Sequence, residues 1–247
     1  MNNFSELLLS ALAVLIILTI HEYSHGYMAY RLGDMTAKNM GRLTLNPIKH
    51  IDPIGALCMI FFHIGWAKPV PINPRAFKKP KRDFALTALA GPVSNLIMAF
   101  LSALIYLLVF AVLKDIPFKA NSFGLRLAQN SLLFILLFHT INIGLALFNL
   151  IPIPPLDGSR ILNVILPEKL YFSIMRYERK IYYAFLAWLL LGDYVVRALR
   201  ALPFIAGSPL LSALVTILSL PELLGFAINF VSDLMFNFWQ FIPALKM

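Results

Sequence analysis

Apolar residues in this chain come in long runs, not in the alternation of a half-buried soluble fold. Leu7 to Ile20 is almost wholly apolar, and a helical pattern continues to about Tyr30. A helix from Glu6 to Ala29 would be ~36 Å long, enough to cross a bilayer core of about 30 Å. A second run covers about Phe84 to Leu113 and a third about Leu127 to Ile151. Beyond them the spans blur. Ile181 to Leu191 is followed by Gly192-Asp193, Arg197 and Arg200, which predicts an interrupted fourth helix or one that snorkels its arginines at an interface. Phe204 to Leu220 and Leu223 to Leu245 form two further apolar segments, divided by Pro221-Glu222. The pattern predicts an all-α membrane protein with five to six transmembrane helices.

One apolar stretch does not fit that scheme. Between the polar connection 32–52 and the second run lies PIGALCMIFFHIGWAKPVPINP, Pro53 to Pro74. Its apolar part, about Ile54 to Ala67, is too short to span and is bracketed by Pro and Gly, so it reads as re-entrant or interfacial. Its β-branched and aromatic content permits a β-hairpin. Extended backbone at membrane depth is tolerated only against protein or a wet cavity, which makes the segment a candidate wall of an active site. The plainer reading is a hydrophobic loop lying on the surface.

Composition sharpens this picture. The chain is 60% hydrophobic and 13% charged, with mean hydropathy +0.77, well outside the soluble range. The net charge of +9 therefore speaks to topology and lipid contact before nucleic acid, for which no basic soluble domain is visible. Ten of the 21 Lys and Arg fall between Arg31 and Arg82, while Met1 to Glu6 has none. By the positive-inside rule the 31–82 stretch is cytoplasmic, the N-terminus outside and the first helix directed inward. That helix lacks the basic start and small-residue cleavage pattern of a signal peptide and reads as retained. The single cysteine, Cys58, rules out an internal disulfide.

The first helix also carries the chemistry. His21-Glu22-Tyr23-Ser24-His25 is an HExxH motif, which this composition would produce by shuffling with roughly a half-percent chance. At i and i+4 the two imidazoles share a helix face and can bind one metal, with Glu22 one step round where it can take a proton from a metal-activated water. Two His and a Glu among apolar neighbours are costly to bury unless something pairs them. The third helix bears His139, Asn142 and Asn149 within an arc of about 80°, a polar stripe that must face protein or water. It ends in NLIPIPPLDG, whose prolines free backbone carbonyls and predict a second cavity-lining piece. Asp157 then falls on the same cytoplasmic side as the HExxH motif, which favours it as third metal ligand. His139, His50, His63 and Asp52 remain the alternatives.

HEYSH in a membrane helix, GRLTLNPIKHIDPIG, GWAKPVPINP, AGPVSNL and NLIPIPPLDG, in this order over about residues 10–165, together resemble the site-2 protease family of intramembrane zinc metalloproteases. The resemblance implies a three-helix catalytic core, one Zn2+ per chain held by His21, His25 and Asp157, and Glu22 as catalytic glutamate. It implies that Asn149 helps place the substrate and that a hairpin falls on Gly65 to Pro74. No stretch of these 247 residues reads as the PDZ or CBS domain that many relatives carry, so the match is to a short form.

The expected layout is a single multi-pass membrane domain over 1–247, with a catalytic core at 5–166 and additional C-terminal membrane helices at 180–245. The expected activity is hydrolysis of peptide bonds in or near transmembrane segments, regulated intramembrane proteolysis, with Glu22 as general base for a zinc-activated water. Asn149 or Asn142 could donate to the oxyanion. An edge strand near Trp66 to Ile72, through Trp66 and Val70, could capture an unwound substrate segment. The partners are then a transmembrane substrate and the lipid bilayer, in a cell membrane, with the active site toward the cytoplasm. Two rival readings are a metal transporter, with the polar residues of helices 1 and 3 as its pathway, and an inactive scaffold that binds membrane helices. The Glu between two ligands argues for hydrolysis over release, and the intact set argues against the scaffold.

Overall fold

The computed structural model describes residues 3–52, 55, 67–120, 122–217, 219–242 and 245. Three long helices form its centre: α1 (Asn3–Arg31), α2 (Pro80–Leu113) and α3 (Phe123–Asn149). α2 packs against both α1 and α3, and α1 also touches α3.

Each of the three buries a row of residues four apart. On α1 the row is Ala13, Ile17, His21, His25 and Ala29; on α2 it is Gly91, Asn95, Ala99, Ala103 and Leu107. On α3, Phe138, His139, Asn142, Ile143 and Ala146 are buried. Rows at i, i+4 are the ridges along which helices interdigitate. Beside a few large apolar residues the buried rows are mostly small or polar, while other stripes are large and apolar: Phe4, Leu8, Leu12 and Ile16 on α1, and Ile97, Leu101, Ile105, Leu108 and Val112 on α2, are exposed. In water this arrangement would be inside-out. In lipid, where apolar exposure costs nothing, small residues let helices approach closely and polar groups find partners between them. Polar residues on the spans also bond their own backbone: Thr19 Oγ1 donates to the Leu15 carbonyl and Ser24 Oγ to that of Ile20. All three helices are long and apolar enough to cross a membrane.

After α3 come two short amphipathic helices, α4 (Asp157–Ile165) and α5 (Glu168–Arg176), then α6 (Glu178–Arg200), α7 (Pro209–Ile217) and α8 (Leu220–Trp239). The limbs of α6, Glu178–Leu189 and Leu191–Arg200, meet at 52°, and α7 meets α8 at 84°. Counting each bent pair as one span gives five spans, otherwise three. A sixth is not found among the described residues.

One expectation needs correction. The apolar stretch Phe204 to Leu220 is not one span; it holds a four-residue helix, Pro203–Ala206, and the nine-residue α7. Pro221-Glu222 does lie at the division between two helices, with α7 ending at Ile217 and α8 beginning at Leu220. Ser219 caps α8, its Oγ accepting from the Glu222 N–H at 3.4 Å, and Pro221 lies in the first turn. A proline there costs no hydrogen bond because the first N–H groups of a helix have no partner anyway. The proline thus belongs to the start of the second segment.

Among the described residues there is no strand, only an isolated antiparallel bridge between Ile51 and Ala67. The expected re-entrant or β-hairpin segment, Trp66 included, lies largely outside them.

Candidate metal centre

His21 and His25 sit on the buried row of α1, with rings 4.6 Å apart and nearly perpendicular. Asp157, the first residue of α4, comes to meet them from far along the chain. Its Oδ2 lies 3.3 Å from Nε2 of His21 and 3.2 Å from Nε2 of His25, and the two Nε2 atoms are 3.0 Å apart. A tetrahedral metal with ligand bonds of about 2.1 Å sets its ligand atoms about 3.4 Å apart, so this triangle is close to what one ion requires. Oδ2 of Asp157 is buried without a well-aligned hydrogen bond, as expected of an atom aimed at a shared centre between the rings. The donor set, two imidazoles and one carboxylate with room for a further ligand, suits zinc in a catalytic setting.

Several local features bring these atoms together. Nδ1 of His25 is 2.7 Å from the Thr87 carbonyl of α2. A carbonyl only accepts, so the ring proton sits on Nδ1 and the Nε2 lone pair faces the site. Gly91 of α2 is what allows the helix so close: a Cβ there would lie 2.5 Å from Nε2 of His25 and 2.6 Å from Cε1 of His21. Pro92 follows it, leaving the Ala88 carbonyl without its helical donor. Gly158 does the equivalent work for Asp157, because a Cβ at that position would run into the backbone carbonyls of Leu150 and Ile151. The Pro-rich turn between α3 and α4 is held by Ile153 N–H to Ile151 and Leu156 N–H to Ile153, and Ser159 Oγ caps back onto the Leu156 carbonyl.

A cavity of about 340 Å³ opens on the triangle, lined also by Glu22, Val70, Ile72, Phe84, Asn149, Pro155 and Arg160. Glu22 accepts the Val70 N–H at 2.8 Å. The backbone around Val70 is held in place from several sides. Lys68 N–H reaches the His50 carbonyl, Arg42 takes the carbonyls of Lys68 and Pro69, and buried Asp34 accepts from Asn73 N–H at 2.6 Å. Val70 Cγ1 would be 3.1 Å from a Cβ on Gly26, so the glycine after HExxH makes room for this segment.

The expected residues separate accordingly. His21, Glu22, His25, Asp157, Asn149 and Val70 share one cavity. Asn142 does not line it; it is buried one level deeper, its Nδ2 donating to the Phe138 carbonyl. Trp66 and His63 lie outside the described residues. The other ligand alternatives are engaged elsewhere: His139 with Ala99 and Ser232, His50 with Thr44, and Asp52 with the Gly55 N–H. Sequence reasoning missed Arg160, Phe84 and Thr87. Arg160 was legible as an i+3 neighbour of Asp157, whereas the other two have no sequence signal.

Comparison with known proteins now decides the family. The model of peptidase family M50 matches residues 9–192, which contain the whole cluster. The chain belongs to peptidase family M50, the site-2 protease family. It is 40% identical over 190 residues to YwhC of Bacillus subtilis (strain 168), covering 75% of this chain and 82% of the relative. Similarity to Rip2 is weaker: 33% over 91 residues in Mycolicibacterium smegmatis, 35% of each chain, and 29% over 150 residues in Mycobacterium tuberculosis, 58% of this chain and 52% of the relative. All three are named as zinc metalloproteases. No solved structure matches. The chain is thus a multi-pass membrane zinc metalloprotease, and zinc is its metal.

Proposed function

We propose that the enzyme is an intramembrane endopeptidase in which His21, His25 and Asp157 hold the zinc and Glu22 is the general base. The observation that carries this reading is the triangle of ligand atoms at 3.0–3.3 Å, two of them on a membrane-length helix, with Glu22 on the wall of the same cavity. Bound zinc would supply Lewis-acid polarisation of the scissile carbonyl and acidification of a water. Glu22 takes a proton from a water as its oxygen adds to the scissile carbonyl carbon, and delivers that proton to the leaving amine nitrogen as the peptide C–N bond breaks. Asn149 spends one amide N–H on the Leu145 carbonyl at 3.0 Å; the second is open to the developing oxyanion.

Substrate would be a transmembrane segment of another protein, unwound locally because a helix hides its carbonyls in its own hydrogen bonds. The segment 67–72 offers fewer pairing groups than a free edge strand. Pro69 and Pro71 have no N–H, Val70 N–H is on Glu22, and Arg42 holds two carbonyls. Pairing by β-augmentation would rest on Ile72 N–H and the carbonyls of Val70 and Pro71. Basic residues at 31–82 support a cytoplasmic site and an outer N-terminus in a cell membrane. Residues 5–166 would be the catalytic core and 180–245 additional membrane helices of one domain, serving regulated intramembrane proteolysis.

The test is Glu22→Gln in purified, reconstituted protein with a single-span substrate. Cleavage should fall by at least about 100-fold, with zinc still near one per chain. Activity at the wild-type level would remove Glu22 as the base.

A further inference from the structure

Beside the metal cavity lies a second, wider depression of about 800 Å³ lined by Pro155, Glu178, Arg176, Arg179 and Lys180. Pro155 is common to both cavities, and the wall between them is completed by an ion pair: Arg160, on the metal side, donates to Glu178, on the other, at 3.1 Å. That pair occupies the one carboxylate that lines the depression among the described residues. Arg176, Arg179 and Lys180 are exposed, and among the described residues neither Arg176 nor Arg179 has a carboxylate partner. Three cations clustered on one concave surface repel one another unless an anion joins them.

We propose that this depression is a specificity subsite for an acidic segment of the substrate next to the scissile bond. The inference rests on the protease reading above. A membrane surface could also supply anions, but the shared Pro155 wall and the Arg160–Glu178 partition place an occupant within reach of the metal cavity, where a flanking stretch of a bound polypeptide must run. Arginine suits carboxylates because its planar fork donates two parallel hydrogen bonds.

The probes are two fluorescent single-span peptides identical except for a flank of three Asp or three Asn. They are tested with zinc-loaded Glu22→Gln protein in neutral detergent. The Asp peptide should bind about 3- to 10-fold tighter, as two or three exposed ion pairs allow, with the preference shrinking as salt rises. Charge reversal in Arg176→Glu/Arg179→Glu should abolish the preference while zinc content stays at wild-type level. If that variant loses zinc, Arg176→Gln/Arg179→Gln serves instead. Equal binding of the two peptides would overturn the proposal, as would a preference that survives both variants. Arginine-dependent binding to vesicles of anionic but not neutral lipid, without a peptide preference, would overturn it in favour of a lipid site. Failure of the wild type to cut either peptide, with the binding preference intact, would count against the protease reading and leave the subsite standing.

Discussion

The three-helix core and the C-terminal helices solve the same problem, packing in lipid, with a different mix of residues. In α1–α3 the buried rows mix large apolar residues, Ile17, Leu107, Phe138 and Ile143, with many small or polar ones, Gly91, Asn95, Ala99, His21, His25 and Asn142 among them. In α6–α8 the buried residues are large and apolar: Phe185 and Leu220 pack with Leu156, and Val196 and Val215 with Ile205. Few polar ties bind the second region to the first. Nε2 of His139 meets Ser232 Oγ at 2.9 Å, and Trp239 Nε1 donates to the Phe100 carbonyl at 2.8 Å. The core thus gives up part of its apolar packing for close approach, and only close approach can bring three ligand atoms from two elements within 3.3 Å of one another.

This contrast makes graded predictions. The largest effect is expected from Asp157→Ala, which removes the atom that closes the triangle. Zinc affinity should fall by more than the roughly 10–100-fold that loss of an outer partner costs, read as zinc per chain after dialysis. Undiminished zinc would move the third ligand elsewhere. Gly91→Ala comes next. Its methyl would press on both imidazoles from 2.5–2.6 Å, so zinc should be weakened and the fold destabilised by about 1–3 kcal/mol. In the C-terminal region the same change is expected to do the reverse. Gly225 of α8 has nothing within 4 Å of a built Cβ, and Gly225→Ala should leave zinc untouched and gain up to ~1 kcal/mol of helix propensity. Thermal unfolding of the two variants in one detergent compares them directly, and equal losses would erase the distinction between the regions. The smallest effect belongs to Ser232→Ala. Removing one interhelical hydrogen bond in a membrane costs about 0.6 kcal/mol, and zinc content should not move. A large loss of zinc would mean that α8 holds the core in shape.

How much of this was legible beforehand differs between the same regions. The core helices were expected at Glu6–Ala29, Phe84–Leu113 and Leu127–Ile151, and lie at Asn3–Arg31, Pro80–Leu113 and Phe123–Asn149. Runs longer than a bilayer is thick leave little choice. Beyond residue 180 the runs are shorter, and Pro221 could either end or begin a helix; the choice fell to the Ser219 cap. Asn142 and Asn149 share a helical face in sequence, yet only Asn149 reaches the cavity, because the two lie at different depths along α3.

The sequence by itself determined the HExxH pair, since i and i+4 is a local relation that any helix enforces. It also determined the membrane class and the break after Asn149. Only the tertiary structure decided that Asp157, and not His139 or His50, completes the triangle, and that Val70 N–H falls on Glu22. Those meetings depend on how closely α2 and the Pro-rich turn approach α1. That distance is set by missing side chains at Gly91, Gly26 and Gly158, whose meaning appears only once the neighbouring helix is in place.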